Sequence, residues 1–187
     1  MSVVDEIFTK MSSHMIQGMM LHEQLMNCYE FLGLHGYSAC HKYHYLSETI
    51  GYTHLCNYSI NHFGKLIQNE RITDPEIIPA SWLSSVRDDV DQATRKQAMI
   101  AGLDEWIEWE SSTVELYSSC HNELWENKKI AAAEFVKSYI LDAEEELTFA
   151  KNEKIKKSAM DFDIVSIIEE QDAWHKLYSK KAKKLNK

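Results

Sequence analysis

Four side chains of metal-ligand type interrupt four otherwise apolar helical stripes of this chain: His22, Glu48, Glu110 and Glu144. A buried carboxylate is costly unless it is paired or coordinates a metal ion. Helical bundles build metal sites from inward-pointing carboxylates and histidines on facing helices. The four residues therefore predict a metal site in the centre of a bundle, with one ligand from each helix.

His44 is a fifth candidate ligand. It lies four residues before Glu48, on the same face of the same helix, and would add an imidazole nitrogen to the site. Among the seven remaining histidines, only His41, paired with His44, has a spacing that suits a shared ligand. We expect surface roles for the others.

The elements that must position these residues are long helices, because the 187 residues include only two prolines and six glycines. Apolar residues recur at three-four spacing, which predicts five helices within a single domain, 1–187. We place these helices at about 2–32, 37–68, 89–126, 130–157 and 162–183.

Both prolines fall in the stretch between the second and third helices, at about 69–88. A gap of this length suits a chain that runs back along a bundle. We therefore predict an all-α fold, a four-helix bundle with a long crossover between helices two and three and an additional C-terminal helix.

Counting residues from each predicted turn places the candidate ligands at one level of the bundle. His22 lies 12 residues before the first predicted turn, and Glu48 lies 14 residues after it. Glu110 and Glu144 each lie 17 residues from the second predicted turn. At about 1.5 Å per residue, and with the two turns at opposite ends of the bundle, all four residues should meet near its middle.

Composition excludes several other classes of function. The formal net charge of −9 argues against a nucleic-acid-binding role, and no apolar stretch is long enough to span a membrane. The chain has no P-loop, Rossmann glycine pattern or nucleophile elbow. The four cysteines form no CxxC pair, and the N-terminus lacks the pattern of a signal peptide. We expect a soluble protein in the cytoplasm.

Three stretches resemble the ferritin-like superfamily: LHGYSACHKYHYLSE at 34–48, VELYSSC at 114–120 and FVKSYILDAEEEL at 135–147. They are similar in pattern to the second, third and fourth helices of ferritins and bacterioferritins. The resemblance implies a ferritin-type four-helix bundle, an iron or other divalent metal site, and a homo-oligomer, either a dimer or a larger assembly.

Two departures from the family's Glu-x-x-His motifs bear on the metal site. Gly51 follows Glu48, and Leu147 follows Glu144, at the position where the family has histidine. The first helix carries His22 where the family has glutamate. These changes argue against a standard two-iron centre and leave a site for one metal ion, or for none.

Three hypotheses follow from the sequence. The first is a ferritin-like protein that binds a single metal ion at a degenerate carboxylate and histidine site. The second is a non-standard di-iron ferroxidase or iron-storage protein. The third is a structural or partner-binding bundle without metal, in which the polar layer is a hydrogen-bonded network. The sequence leaves open whether the protein is an enzyme.

Overall fold

The computed structural model describes residues 2–67 and 90–185, and in these ranges the chain forms helices and no strands. The helices are α1 (Val3–Phe31), α2 (His35–Phe63), α3 (Gln92–Glu126), α4 (Ile130–Ala159) and α5 (Ile164–Leu185). The all-α fold class predicted from the sequence is confirmed. No helix in the described ranges combines the length and the hydrophobicity needed to cross a membrane.

Local sequence signals explain where several helices begin and end. Ser2 and Asp5 form a reciprocal capping box at the start of α1. Asp91 accepts a hydrogen bond from the backbone of Thr94 and so caps α3. Gly64 ends α2 in the left-handed conformation, at φ 64°, which glycine adopts without steric cost.

The helices pack as two antiparallel hairpins whose turns lie at opposite ends of the bundle. α1 pairs with α2, and α3 pairs with α4. Around the first turn, one core cluster includes Leu32, Leu34, Met99 and Ala150. At the other end, the second cluster includes Phe8, Leu55, Leu124 and Ala132.

This arrangement makes α2 and α3 parallel, since the C-terminal halves of both helices contribute to the second cluster. α2 therefore ends at the opposite end of the bundle from the start of α3, as a long crossover requires. The predicted crossover segment itself, about 69–88, lies outside the described residues.

The C-terminal helix α5 is anchored by buried polar contacts. Lys157, at the end of α4, is fully buried and forms an ion pair with Glu170 of α5. Gln171 of α5 reaches the start of α2, where its side-chain oxygen accepts hydrogen bonds from the backbone nitrogens of Gly36 (2.8 Å) and Tyr37 (3.1 Å). Leu34, which precedes α2, provides no side-chain cap. The start of α2 is therefore capped by a side chain from another helix.

Replacing Gln171 by leucine should lower the free energy of unfolding by about 1 to 3 kcal/mol, because two buried backbone N–H groups lose their acceptor. Urea denaturation would measure the change. Asp172→Leu, at the exposed neighbouring position, serves as the control and should change stability by less than about 0.5 kcal/mol. Equal stabilities for the two variants would contradict this capping role.

Candidate metal centre

Three side chains from three helices converge near the middle of the bundle. His22 of α1, His44 of α2 and Glu146 of α4 each offer a ligand atom, and these atoms all lie within 4.8 Å of one another. Both histidines are buried, whereas the Glu146 side chain is 24% exposed. His44 Nδ1 lies 3.0 Å from Glu146 Oε2, so these two groups form an ion pair when His44 is protonated.

The remaining helix of the bundle, α3, contributes Glu110. Glu110 as a residue is only 1% exposed, and its Oε1 lies 3.9 Å from His22 Nε2. The indole nitrogen of Trp106 donates a hydrogen bond of 3.1 Å to the same oxygen, which fixes the orientation of the carboxyl. Each helix of the bundle therefore brings at least one histidine or glutamate to this level.

A hollow of about 270 Å³ borders the carboxyl groups. Its lining includes Glu48, Glu110 and Glu146, and it lies mainly between α2 and α4, which pack less closely than the hairpin partners. The aromatic rings of Tyr117 and Tyr139 form part of its wall. The hollow is partly open to solvent on the side of α2 and α4.

Burial and mutual repulsion disfavour the charged forms of two of these carboxyls. Burial raises the pKa of Glu48 to about 8, and the negative charge of Glu146 adds to this effect. The pKa of Glu110 is also raised, first by burial and then by Glu146 and Glu48. A bound divalent cation would reverse this preference, because metal ligands bind in the deprotonated form.

The pKa values of His44 and Glu146 shift in the directions that favour the charged forms. Burial alone would lower the pKa of His44, but the charge of Glu146 and contacts with Cys40 act together in the opposite direction, and the pKa is raised. Burial alone would raise the pKa of Glu146, but His44 lowers it. In contrast, burial followed by repulsion from His44 lowers the pKa of His22 to about 3, so the His22 ring is neutral at pH 7.

The nitrogen of His22 that faces Glu110 has no hydrogen-bond partner among the described residues. Nε2 of His22 is buried, and its distance of 3.9 Å from Glu110 is too long for a hydrogen bond. Buried polar atoms are nearly always satisfied in folded proteins, so an orphan such as this one needs an explanation. Two imidazoles and a carboxylate on neighbouring helices are a donor set typical of mononuclear iron(II).

The structure corrects the expected position of Glu144. We predicted that this residue faces the bundle interior, but it is exposed and borders a different surface hollow with His121 and Trp125. Glu146 occupies the inward position instead. The reason is helical rotation: Glu146 lies three residues after the buried Ala143 and shares its face, whereas Glu144 is rotated by about 100° from it.

The other sequence candidates have these positions: His22, His44 and Glu110 are buried at the centre, and Glu48 is partly buried beside the hollow. Two residues of the centre, Glu146 and His41, were not predicted as ligands from the sequence. Glu146 could have been found from its spacing to Ala143 and Ala150. His41 is fully buried against His22, and only its spacing to His44 gave a signal.

His14 lies on α1, two turns before His22 and outside the ligand group. Its ring stacks on Trp109, with ring centres 4.0 Å apart, and its Nε2 lies 2.7 Å from Thr113 Oγ1. The Thr113 hydroxyl donates to the Trp109 carbonyl, so the His14 ring nitrogen is the donor of this bond. Burial lowers the pKa of His14 to about 4.

His14 should make the folded protein less stable in acid. Its folded pKa lies below the value of about 6.5 expected in the unfolded chain, so the stability it provides is complete above pH 6.5 and is lost as the pH falls towards 4. His14→Phe retains a stacking ring without titration. Between pH 7 and pH 4, this variant should lose about 2 to 3 kcal/mol less unfolding free energy than the wild type.

Urea denaturation at several pH values would measure this difference. The control is His54→Phe, because His54 is exposed to solvent and should leave the pH dependence as in the wild type. An unchanged pH dependence in His14→Phe would contradict the assignment of a neutral, partly buried ring to His14.

The fold is similar to the solved structures of archaeal ferritins. A humanized archaeal ferritin gives a TM-score of 0.76 at 14% identity, covering 92% of this chain and 94% of that chain. A closed form of the Archaeoglobus fulgidus ferritin, engineered by site-directed mutagenesis, gives the same TM-score and identity with coverages of 94% and 96%. The open-pore ferritin from the same archaeon gives a TM-score of 0.73 at 14% identity, again over 94% and 96%.

Comparisons of sequence gave no match. No protein-family model matches the chain, and no curated protein shows significant similarity to it. The likeness to the solved ferritin structures confirms the ferritin-like fold expected from the sequence.

Proposed function

We propose that this protein binds one divalent transition-metal ion at the centre of the bundle, with iron as the first metal to expect. The ligands would be His22, His44 and Glu146, with Glu110 as a fourth. The observation that carries the proposal is the approach of three donor atoms from three helices to within 4.8 Å, beside a buried ring nitrogen of His22 that lacks a partner. The donor set suits iron(II) among the divalent metals.

The surrounding residues would orient the ligands and control access. Trp106 holds Glu110 through its indole N–H, and the contact with Glu146 fixes the His44 ring. The hollow beside Glu48 would let an ion or a small ligand reach the centre from solvent. A bound iron ion would supply Lewis acidity or one-electron redox chemistry at this position.

Metal content is the direct test. The protein should be produced without a metal-affinity tag, supplemented with iron or manganese, dialysed, and measured by elemental mass spectrometry together with the protein concentration. We expect one metal ion per chain. No retained metal after supplementation with either ion would overturn the proposal and favour the hypothesis of a bundle stabilised by a polar network.

A two-metal centre is the alternative, and the position of Glu48 favours it. Glu48 borders the hollow together with Glu110 and Glu146, so three carboxyls surround a space next to the proposed single site. Two iron ions per chain, with oxygen-dependent oxidation of iron(II), would support a non-standard ferroxidase or storage protein. One ion per chain without such oxidation would exclude this alternative.

We also infer a cytoplasmic homo-oligomer built from a single ferritin-like domain. All four cysteines are free, which suits a reducing compartment. Exposed apolar side chains on α4 and α5, such as Ile155 and Val165, support self-association. Light scattering would measure the mass in solution, and a monomer at micromolar concentration would contradict the inference.

A further inference from the structure

We propose that His41 is a positioning residue for the metal centre: it accepts a hydrogen bond from His22 and thereby keeps Nε2 of His22 free to bind the metal. This inference rests on the proposed metal site. It adds a residue that is not one of the proposed ligands, because His41 does not belong to the group of converging donor atoms.

The contact joins two ring nitrogens of the same kind. His22 Nδ1 lies 3.0 Å from His41 Nδ1, and both residues are fully buried. Two imidazole nitrogens at this distance form a hydrogen bond when one of them carries a proton and the other offers a lone pair. The pair of neutral rings therefore has two arrangements, which differ in the ring that donates.

Only one of these arrangements suits a metal ligand. If His41 donates, then His22 carries its own proton on Nε2 and has no lone pair for a metal. If His22 donates from Nδ1, its Nε2 is bare and faces the side of Glu110, while His41 carries its proton on Nε2. Metal binding through His22 therefore requires His41 to be the acceptor.

Aromatic rings pack on His41 next to its contact with His22. The His41 ring stacks on Tyr29, with ring centres 5.3 Å apart, and meets Trp106 edge to face at 4.8 Å. Within the described residues, the hydrogen bond found for His22 is the one to His41. Metal-bound histidines generally donate their second ring N–H to an oxygen acceptor, and here an imidazole takes that place.

Asparagine and leucine at position 41 separate this role from simple packing. The two side chains have nearly the same shape, but only asparagine carries an oxygen close to the place of Nδ1. His41→Asn should retain the acceptor for His22, whereas His41→Leu should remove it. Loss of such an oriented partner typically weakens metal binding by about 10- to 100-fold.

The experiment uses the full chain and Co²⁺, whose visible absorption reports the ligand field. We expect His41→Asn to bind Co²⁺ within about threefold of the wild type with a similar spectrum, and His41→Leu to bind about 10- to 100-fold more weakly with a changed spectrum. Thermal unfolding of the metal-free proteins would separate a loss of fold from a loss of metal affinity.

The outcomes distinguish failure of the positioning role from failure of the metal site. If His41→Leu is folded and binds Co²⁺ with the affinity and spectrum of His41→Asn, the positioning role is overturned and the metal site stands. If His41→Leu does not fold, His41→Gln and His41→Met provide a second matched pair, with a strong oxygen acceptor only in the first. If the wild type binds no Co²⁺, the metal site is overturned, and the positioning role is overturned with it.

Discussion

Glu146→Gln is expected to abolish stoichiometric metal binding. The substitution replaces the anionic oxygen of the proposed ligand group by a neutral amide, while the shape of the side chain is retained. The loss should exceed the factor of about 100 that removal of an orienting partner can cause, because a ligand itself is lost. Competition with a chelator of known affinity would measure the change, using iron(II) without oxygen or Co²⁺.

The metal-free form of Glu146→Gln should also be less stable. His44 is buried and depends on the charge of Glu146 for its raised pKa. Breaking a buried ion pair costs about 3 to 5 kcal/mol, but Glu146 is 24% exposed, so about 1 to 2 kcal/mol is expected here.

The matched control for this prediction is two residues away. Glu144→Gln makes the same chemical change on the same helix, at an exposed position on another face. It should retain the metal affinity and stability of the wild type. A greater loss of metal from Glu144→Gln than from Glu146→Gln would show that the inward face of α4 has been assigned to the wrong residue.

Gly102→Ala should destabilise the protein by about 3 kcal/mol, near the upper end of the usual cost of overpacking a core. A Cβ atom at this position of α3 would lie 2.1 Å from the hydroxyl oxygen of Tyr29 and 2.9 Å from its Cζ. Tyr29 is fully buried and stacks on His41, so its ring has little room to move. Glycine at position 102 therefore allows α1 and α3 to approach at this point.

Gly51→Ala is the control for the effect of removing a helical glycine. There the added Cβ would meet its nearest neighbour, a ring carbon of Tyr139, at an ordinary 3.4 Å. Alanine is the better helix former, so this variant should be more stable than the wild type by about 0.5 to 1 kcal/mol. Chemical denaturation would compare both variants.

A second substitution tests the cause of the Gly102 effect. In a Tyr29→Phe background the nearest clashing atom is absent, so Gly102→Ala should cost about 1 kcal/mol less than in the wild type. Equal costs in the two backgrounds, or a cost below about 0.5 kcal/mol in the wild type, would show that Tyr29 is not what restricts this position.

Local periodicity was sufficient to predict the architecture. The three-four spacing of apolar residues, together with few prolines and glycines, indicates long helices, and the length of the gap after the second helix indicates a crossover. The same spacing put His22, His44, Glu48 and Glu110 on inward stripes, and all four surround the centre or its hollow. These features depend on contacts within single helices, so they can be derived from neighbouring residues in the sequence.

Only the tertiary structure showed which glutamate of α4 lies at the centre. An apolar stripe covers about 100° of a helix surface, which is also the rotation between consecutive residues. Glu144 and Glu146 lie at opposite edges of the stripe that contains Ala143 and Ala150, so the stripe offered both as candidates, and the packing of Ala143 and Ala150 against the other helices decided between them.

The sequence by itself determined the helices, their order and the types of donor atoms available to a metal. Only the tertiary structure decided that Glu146 faces His44, that His41 contacts His22, and that Gly102 lies against Tyr29. Each of these contacts joins side chains from different helices at separations of a few ångströms. Such contacts depend on the rotation and spacing of whole helices, which the packing of the complete core sets and which no single stripe contains.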